Sequence, residues 1–398
     1  MPIDTQDLDQ HLHALTRSGQ LPGVSYALLR GQDEVAAGVF GLADREAGRP
    51  MGRDTIVRAY SNTKLVTSLA VLRLHDAGLF GLDDPVAEWI PALRGLRVLR
   101  PGAQTLDDTV PLATPVTVRH LLTHTAGFGQ GLFDAGTLLQ AAYWQRGVRG
   151  ADTTLAELME VFGTLPLNAQ PGSAWDYSAA TDVAARLVEV VSGQRFGDHL
   201  QQQVFGPLGM VDTAHVLARD DQRARLAALY GVPQGLEAGD PAAPATRLLT
   251  DSPYPGAFLV PKPRQGGAGG LVTTLPDWLA LMRALLPGGP ALLRPATREQ
   301  ALRDQLAPPL SVQFRRQGSF GGPMPALGFG LLGAVTRAAS ATTPAGSEGV
   351  VQWGGLAGTH WWIDPLRGTA GALMTQRMMG FWQPWWFEAQ RLMFAAMG

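Results

Sequence analysis

The first residues able to do covalent chemistry are Ser61 and Lys64, in the run Ser61-Asn62-Thr63-Lys64. Side chains at i and i+3 share a helix face, so the amine can approach the hydroxyl and help activate it as a nucleophile. Of 32 Lys and Arg residues, only Lys64 and Lys262 are lysine. A desolvated lysine can release its proton and an arginine effectively cannot, so a lysine here has a use that the abundant arginines lack. The spacing alone is weak: with 12 serines and two lysines, chance supplies the pattern in roughly 6% of such chains. Its context is stronger. Residues 62–77 read as a long helix with Leu65, Leu69, Leu72 and Leu74 inside it, too apolar to be exposed. Ser61 then stands at a helix start, where free N–H groups and the positive end of the dipole can hold an oxyanion. The competing reading is a serine cap followed by a solvated lysine. Tyr177 opens a second helix, in Tyr177-Ser178-Ala179. Beside a buried lysine a tyrosine can serve as a general base, because a nearby cation favours the phenolate.

Other motifs fail on context. No His is followed by Glu and neither Lys follows a Gly, which removes the zinc-peptidase and P-loop patterns. Gly328-Phe329-Gly330-Leu331-Leu332-Gly333 matches a dinucleotide fingerprint, but the next residues, Ala334-Val335-Thr336-Arg337, continue a strand where that site needs a helix. Gly23-Val24-Ser25-Tyr26-Ala27 approaches the hydrolase elbow, yet it lacks the last glycine and lies within a strand. His124 reads as a local hydrogen-bonding group. A triad of Ser61, His360 and Asp364 would duplicate a base role already filled by Lys64 and Tyr177. The run 266–270 reads as tight backbone lining the site, and Trp361 and Trp362 alternate on a strand, one facing the core and one outward.

These groups need a scaffold. Residues 8–15 read as a helix, 24–28 and 35–40 as a strand pair, and 56–59 as a third short strand. Helices dominate from about 81 to 249, at 117–122, 153–163, 178–192 and 195–205. A Pro- and Gly-rich return covers 231–270, followed by helices at 276–286 and 295–303. Strands are expected at 328–337, 349–354, 359–364 and 369–376, and an aromatic helix at 384–397. Strands at both ends with helices between predict an α/β fold, an antiparallel sheet flanked by helices with an inserted mainly helical domain. The discontinuous α/β domain would comprise 1–80 and 250–398, the helical domain 81–249, with the active site at their interface. The 398 residues carry a net charge of -2 and no cysteine. That composition argues against a nucleic-acid partner, thiol chemistry and thiolate metal sites. The start, Met1-Pro2-Ile3-Asp4-Thr5-Gln6-Asp7, is acidic and polar, and no long apolar run lacks charge. A cytoplasmic protein with no membrane partner is the expectation, its oligomeric state left open.

With Ser61, Lys64 and Tyr177 in place, the chain resembles the serine β-lactamase and penicillin-binding-protein superfamily, class C branch. Leu121-Leu122-Thr123-His124-Thr125-Ala126-Gly127, Val204-Phe205-Gly206-Pro207-Leu208-Gly209-Met210 and Gly266-Gly267-Ala268-Gly269-Gly270-Leu271 share in the resemblance, which spans about residues 20–395. Within that branch it is most similar to family VIII carboxylesterases of the EstB type, above all at 41–50 and at Gln352-Trp353-Gly354-Gly355. The resemblance implies Ser61 as nucleophile, Lys64 and Tyr177 as base pair, an oxyanion hole from the backbone N–H groups of Ser61 and Leu356, and no cofactor or metal. Two departures bear on substrate. The third position of Y-x-N is Ala179, and K-T-G is replaced by Trp353-Gly354-Gly355, which takes away a cation and a hydroxyl. These three residues would line a site for small, mostly apolar acyl esters. A β-lactamase or D-alanyl peptidase, or an acyltransferase, would use the same residues.

Overall fold

The computed structural model describes residues 3–134, 136–232, 240, 242–248, 258–314 and 322–398. Its frame is an eight-stranded antiparallel sheet. Three strands come from the start of the chain: β1 (Gly23–Arg30), β2 (Asp33–Asp44) and β3 (Arg49–Pro50). Five come from its end: β4 (Leu327–Phe329), β5 (Ala334–Thr336), β6 (Val351–Gly354), β7 (His360–Asp364) and β8 (Thr369–Thr375). The order is β4-β5-β6-β7-β8-β1-β2-β3, so the two ends of the chain meet at the β8–β1 pair, with Tyr26 opposite Leu373.

The sheet is covered on both faces. Helices α1 (Gln6–Arg17) and α5 (Pro384–Met397) pack together on one of them. The Tyr26 hydroxyl donates to Asp9 of α1 at 2.6 Å, and Trp362 meets Phe394 of α5 with ring centroids 4.5 Å apart. Alternation turns Trp361 and its cross-strand partner Trp353 to the opposite face. Hence Trp361 and Trp362 are both fully buried. The expectation that one would face outward fails because both sides of the sheet are covered along β7. β1 is likewise buried at every position but Arg30.

Helix α2 (Thr63–Asp76) runs beside α3 (Ala180–Ser192), and α4 (Leu275–Leu285) packs on β8 and β1. Nearly every residue of α2 is buried, so it has no solvated stripe. Its end is set by Gly78, in the left-handed region at φ +76°, whose N–H closes onto His75 O. The predicted strand 328–337 is instead a hairpin, closed by Gly330 N–H donating to Gly333 O at 2.7 Å. A Cβ on Gly333 would come within 2.8 Å of Gln352 O, so that turn needs glycine. The predicted helix 195–205 divides into Phe196–Leu200 and a wider turn at Gln201–Phe205. A further helix, Leu138–Gln145, was not anticipated, and part of the 231–270 return lies outside the described residues. Among the described residues no helix is long and apolar enough to cross a membrane, and no cluster of three or more His, Asp or Glu could hold a metal.

Candidate active site

Ser61 sits in the single turn Tyr60–Asn62 between a short strand, Val57–Arg58, and α2. Tyr60 holds a left-handed backbone, φ +43°, unusual for a residue with a bulky side chain. This sharp entry leaves Ser61 half-buried and sends α2 into the core. One turn on, buried Lys64 donates from Nζ to Ser61 Oγ at 3.4 Å and to Ala268 O at 2.6 Å. The glycine run 266–270 thus receives the lysine. Its backbone is fixed by Asp182 of α3, which accepts from Gly267 and Ala268 N–H. A Cβ on Gly267 would lie 2.6 Å from Thr181 O.

Tyr177 enters just before α3 and is buried, with Lys64 Nζ 4.6 Å above its ring centroid. Burial pushes the phenol up to about 12; the Ser61 hydroxyl and the charge of Arg149 pull the other way. The resting tyrosine is therefore protonated at neutral pH. Desolvation outweighs the help that the sequence led us to expect from the lysine, whose ammonium lies over the ring face.

The third side comes from β6. Trp353 is buried against Tyr177 and Phe329, each at a 5.3 Å centroid distance, and against Trp382 at 5.3 Å. Its indole backs Tyr177 and borders a small recess shared with Lys64 and His124. Gly354 and Gly355 then bring the strand end against the chain entering Ser61: a Cβ on Gly355 would meet Ala59 O at 2.3 Å. Leu356 follows, lining one narrow cleft with Ser61. Among the described residues no backbone carbonyl accepts from the N–H of either Ser61 or Leu356, so both donors are available to that cleft. Truncating Trp353 to alanine should cost about 3–5 kcal/mol of unfolding free energy, the scale for a large buried aromatic, read from denaturant midpoints. Trp353→Phe should keep most of that stability. Equal stability of Trp353→Ala and the parent would contradict this packing.

The other predicted residues separate. His124, also at positive φ (56°), accepts the Ser178 N–H at Nδ1 (3.3 Å) and lies 4.9 Å from the Tyr177 ring. Burial, reinforced by the charge of Lys64, holds its imidazole well below the usual range, so it is a neutral support for the tyrosine. His360 is stacked on Trp386 at 4.0 Å, on the α1/α5 face, with burial lowering it to about 3. Asp364 instead accepts from the N–H groups of Leu366 and Arg367. No Ser61–His360–Asp364 triad is assembled. Lys262 pairs with Asp152 at 2.9 Å. Sequence reasoning missed Gln130 and Arg149, which border the Ser61 cleft and also a larger cavity of about 310 Å³ beside it. Ala179 and the glycine run line that cavity too.

An antiparallel sheet flanked by helices, with a serine, a lysine and a tyrosine meeting at one cleft, defines a serine hydrolase of β-lactamase architecture. The chain belongs to the Beta-lactamase family, whose pattern matches residues 8–384. It is similar to Esterase EstB of Burkholderia gladioli, 32% identical, with 92% of this chain and 89% of that one covered. Monacolin J acid methylbutanoyltransferase of Aspergillus terreus is 28% identical, over 80% of this chain and 76% of that one. Among solved structures, EstCE1, a hydrolase with promiscuous acyltransferase activity, aligns with a TM-score of 0.78 at 25% identity, over 99% of this chain and 97% of that one.

Proposed function

We propose that this protein is a carboxylesterase acting on small, mostly apolar acyl esters. The observation that carries the reading is the cleft in which Ser61 Oγ faces Lys64 Nζ at 3.4 Å, beside Tyr177 and the available N–H groups of Ser61 and Leu356. Ser61 Oγ attacks the ester carbonyl with Lys64 and Tyr177 acting together as the base pair, and its proton comes to rest on the Tyr177 oxygen, which starts as the phenolate. The carbonyl oxygen, now negative, rests on the two N–H groups. The tyrosine then gives its proton to the departing alkoxide as the C–O bond breaks. Water repeats the sequence on the acyl-enzyme and releases the acid. We read the site as lying between a discontinuous α/β domain, 1–80 and 250–398, and a helical domain, 81–249. Trp353 in place of a strand lysine puts an apolar surface beside the scissile carbonyl, where a β-lactamase or D-alanyl peptidase would offer a cation to a substrate carboxylate. An acyltransferase would use the same acyl-enzyme with an alcohol in place of water.

The test is hydrolysis of a chromogenic short-chain ester beside a chromogenic cephalosporin, with and without an added alcohol. Ester turnover should far exceed cephalosporin turnover. Comparable rates would favour the β-lactamase reading, and acyl transfer outrunning hydrolysis would favour the transferase.

The proton acceptor carries its own signature. A phenol raised to about 12 is only sparsely ionised near neutrality, so kcat/KM should climb about tenfold per pH unit from 7 to 9. A flat profile would rule out the Tyr177 phenolate. The rise has a ceiling set by folding. Tyr177 and Tyr230 are both raised to about 12 by burial, above the usual 10. Their protonated forms are thus favoured by the fold; stability is intact below pH 10 and declines as pH passes toward 12.

A further inference from the structure

We propose that the 310 Å³ cavity beside the Ser61 cleft binds a carboxylate carried on one arm of the ester, remote from the bond that is cleaved. This rests on the esterase reading and adds a charged end to its substrate. The cavity and the cleft share Gln130, Arg149, Ala268 and Gly269, so one molecule can occupy both. Its volume is at the lower end of small-ligand pockets and suits a short arm.

The charge of its wall is one-sided. Arg149, Arg195, Lys262 and Arg264 border it, and among the described residues Asp182 is the one carboxylate. Asp182 gives an oxygen to the N–H groups of Gly267 and Ala268. Arg264 is a strut, donating to Val148 O at 2.6 Å and Thr153 O at 3.2 Å, and Lys262 pairs with Asp152 at the rim. His215 donates to Gly266 O and, lowered to about 4 by burial, is neutral. Two guanidinium groups then set the field. Arg149 donates to Gln130 O at 3.3 Å, stands where the cavity joins the cleft, and its charge reaches Tyr177. Arg195 is exposed and forms no ion pair among the described residues. A planar guanidinium is suited to a carboxylate, and half-enclosure strengthens the attraction. Neither cation comes from the strand of Trp353, so the site places positive charge away from the scissile carbonyl and apolar surface next to it.

Three esters test this: 4-nitrophenyl butyrate, mono-4-nitrophenyl glutarate with its carboxylate on the acyl arm, and the butyrate ester of 4-hydroxy-3-nitrobenzoic acid with its carboxylate on the alcohol arm. At least one anionic ester should exceed the neutral one about tenfold in kcat/KM, and the advantage should shrink between 20 and 500 mM NaCl. The arm that gains identifies the half of the ester in the cavity. Arg195→Gln and Arg149→Gln should each lower the anionic-to-neutral ratio about fivefold or more, with Arg195→Lys intermediate. Both anionic esters slower than the neutral one, or ratios unmoved in the Arg195→Gln variant, would overturn the proposal while leaving the esterase reading intact. If no ester is turned over, the esterase reading fails, and the cavity is judged by glutarate binding to Ser61→Ala. A saturable rise in Tm that Arg195→Gln removes supports the anion site, and no rise refutes it.

Discussion

Replacing Ser61 by alanine should lower ester turnover by at least about 10³-fold, because among the described residues of the cleft Ser61 is the one aliphatic hydroxyl beside Lys64. The loss should lie in kcat, since the remaining walls still hold substrate. The same claim can be read chemically. A fluorophosphonate probe should attach to Ser61 alone, and peptide mapping would find it. Ser25 lies buried in β1, and Ser178 is fully buried against His124. Label on either would overturn the assignment.

The second large effect belongs to Lys64. Lys64→Arg keeps a cation but cannot release a proton at any working pH. It also forces a planar, wider head into the buried space between Ser61 Oγ and Ala268 O. Turnover should fall about 10²-fold or more, close to the loss in Lys64→Ala. Tyr177→Phe should cost on the order of 10²–10⁴-fold in kcat with KM nearly unchanged, the pattern of a lost proton-transfer group. Full activity in Tyr177→Phe would move the base elsewhere. An arginine variant as active as the parent would reduce Lys64 to a source of positive charge.

Much of this was readable because periodicity and rare residue types carry information. Lysine is scarce here, so Lys64 stood out, and the apolar register of 62–77 placed it in the core. The strand at 369–376 and the closing helix were equally clear from their patterns. Arg149 was hidden for the opposite reason, as one arginine among many with no periodic context. Gln130 has no titratable signature and lies three residues beyond the segment ending at Gly127 that carried the resemblance. Trp361 and Trp362 misled because alternation tells two faces apart but not whether both are covered. The elevated phenol of Tyr177 depends on enclosure by its neighbour Trp175 and by Phe314 and Trp353, which come from distant parts of the chain.

The pairing of β1 with β8 also governs how the molecule comes into being. Tyr26 meets Leu373 in the middle of the sheet, across roughly 350 residues of intervening chain. At usual ribosomal speeds of about 5–20 residues per second, β1 waits on the order of 20–70 s for its neighbour to be synthesised. For that interval the β1–β2 hairpin has a naked apolar edge, Val24-Ser25-Tyr26-Ala27-Leu28-Leu29, open to any passing strand. Recombinant yield should therefore rise with added holdase chaperone and lower growth temperature, more than with changes in the stability of the finished enzyme.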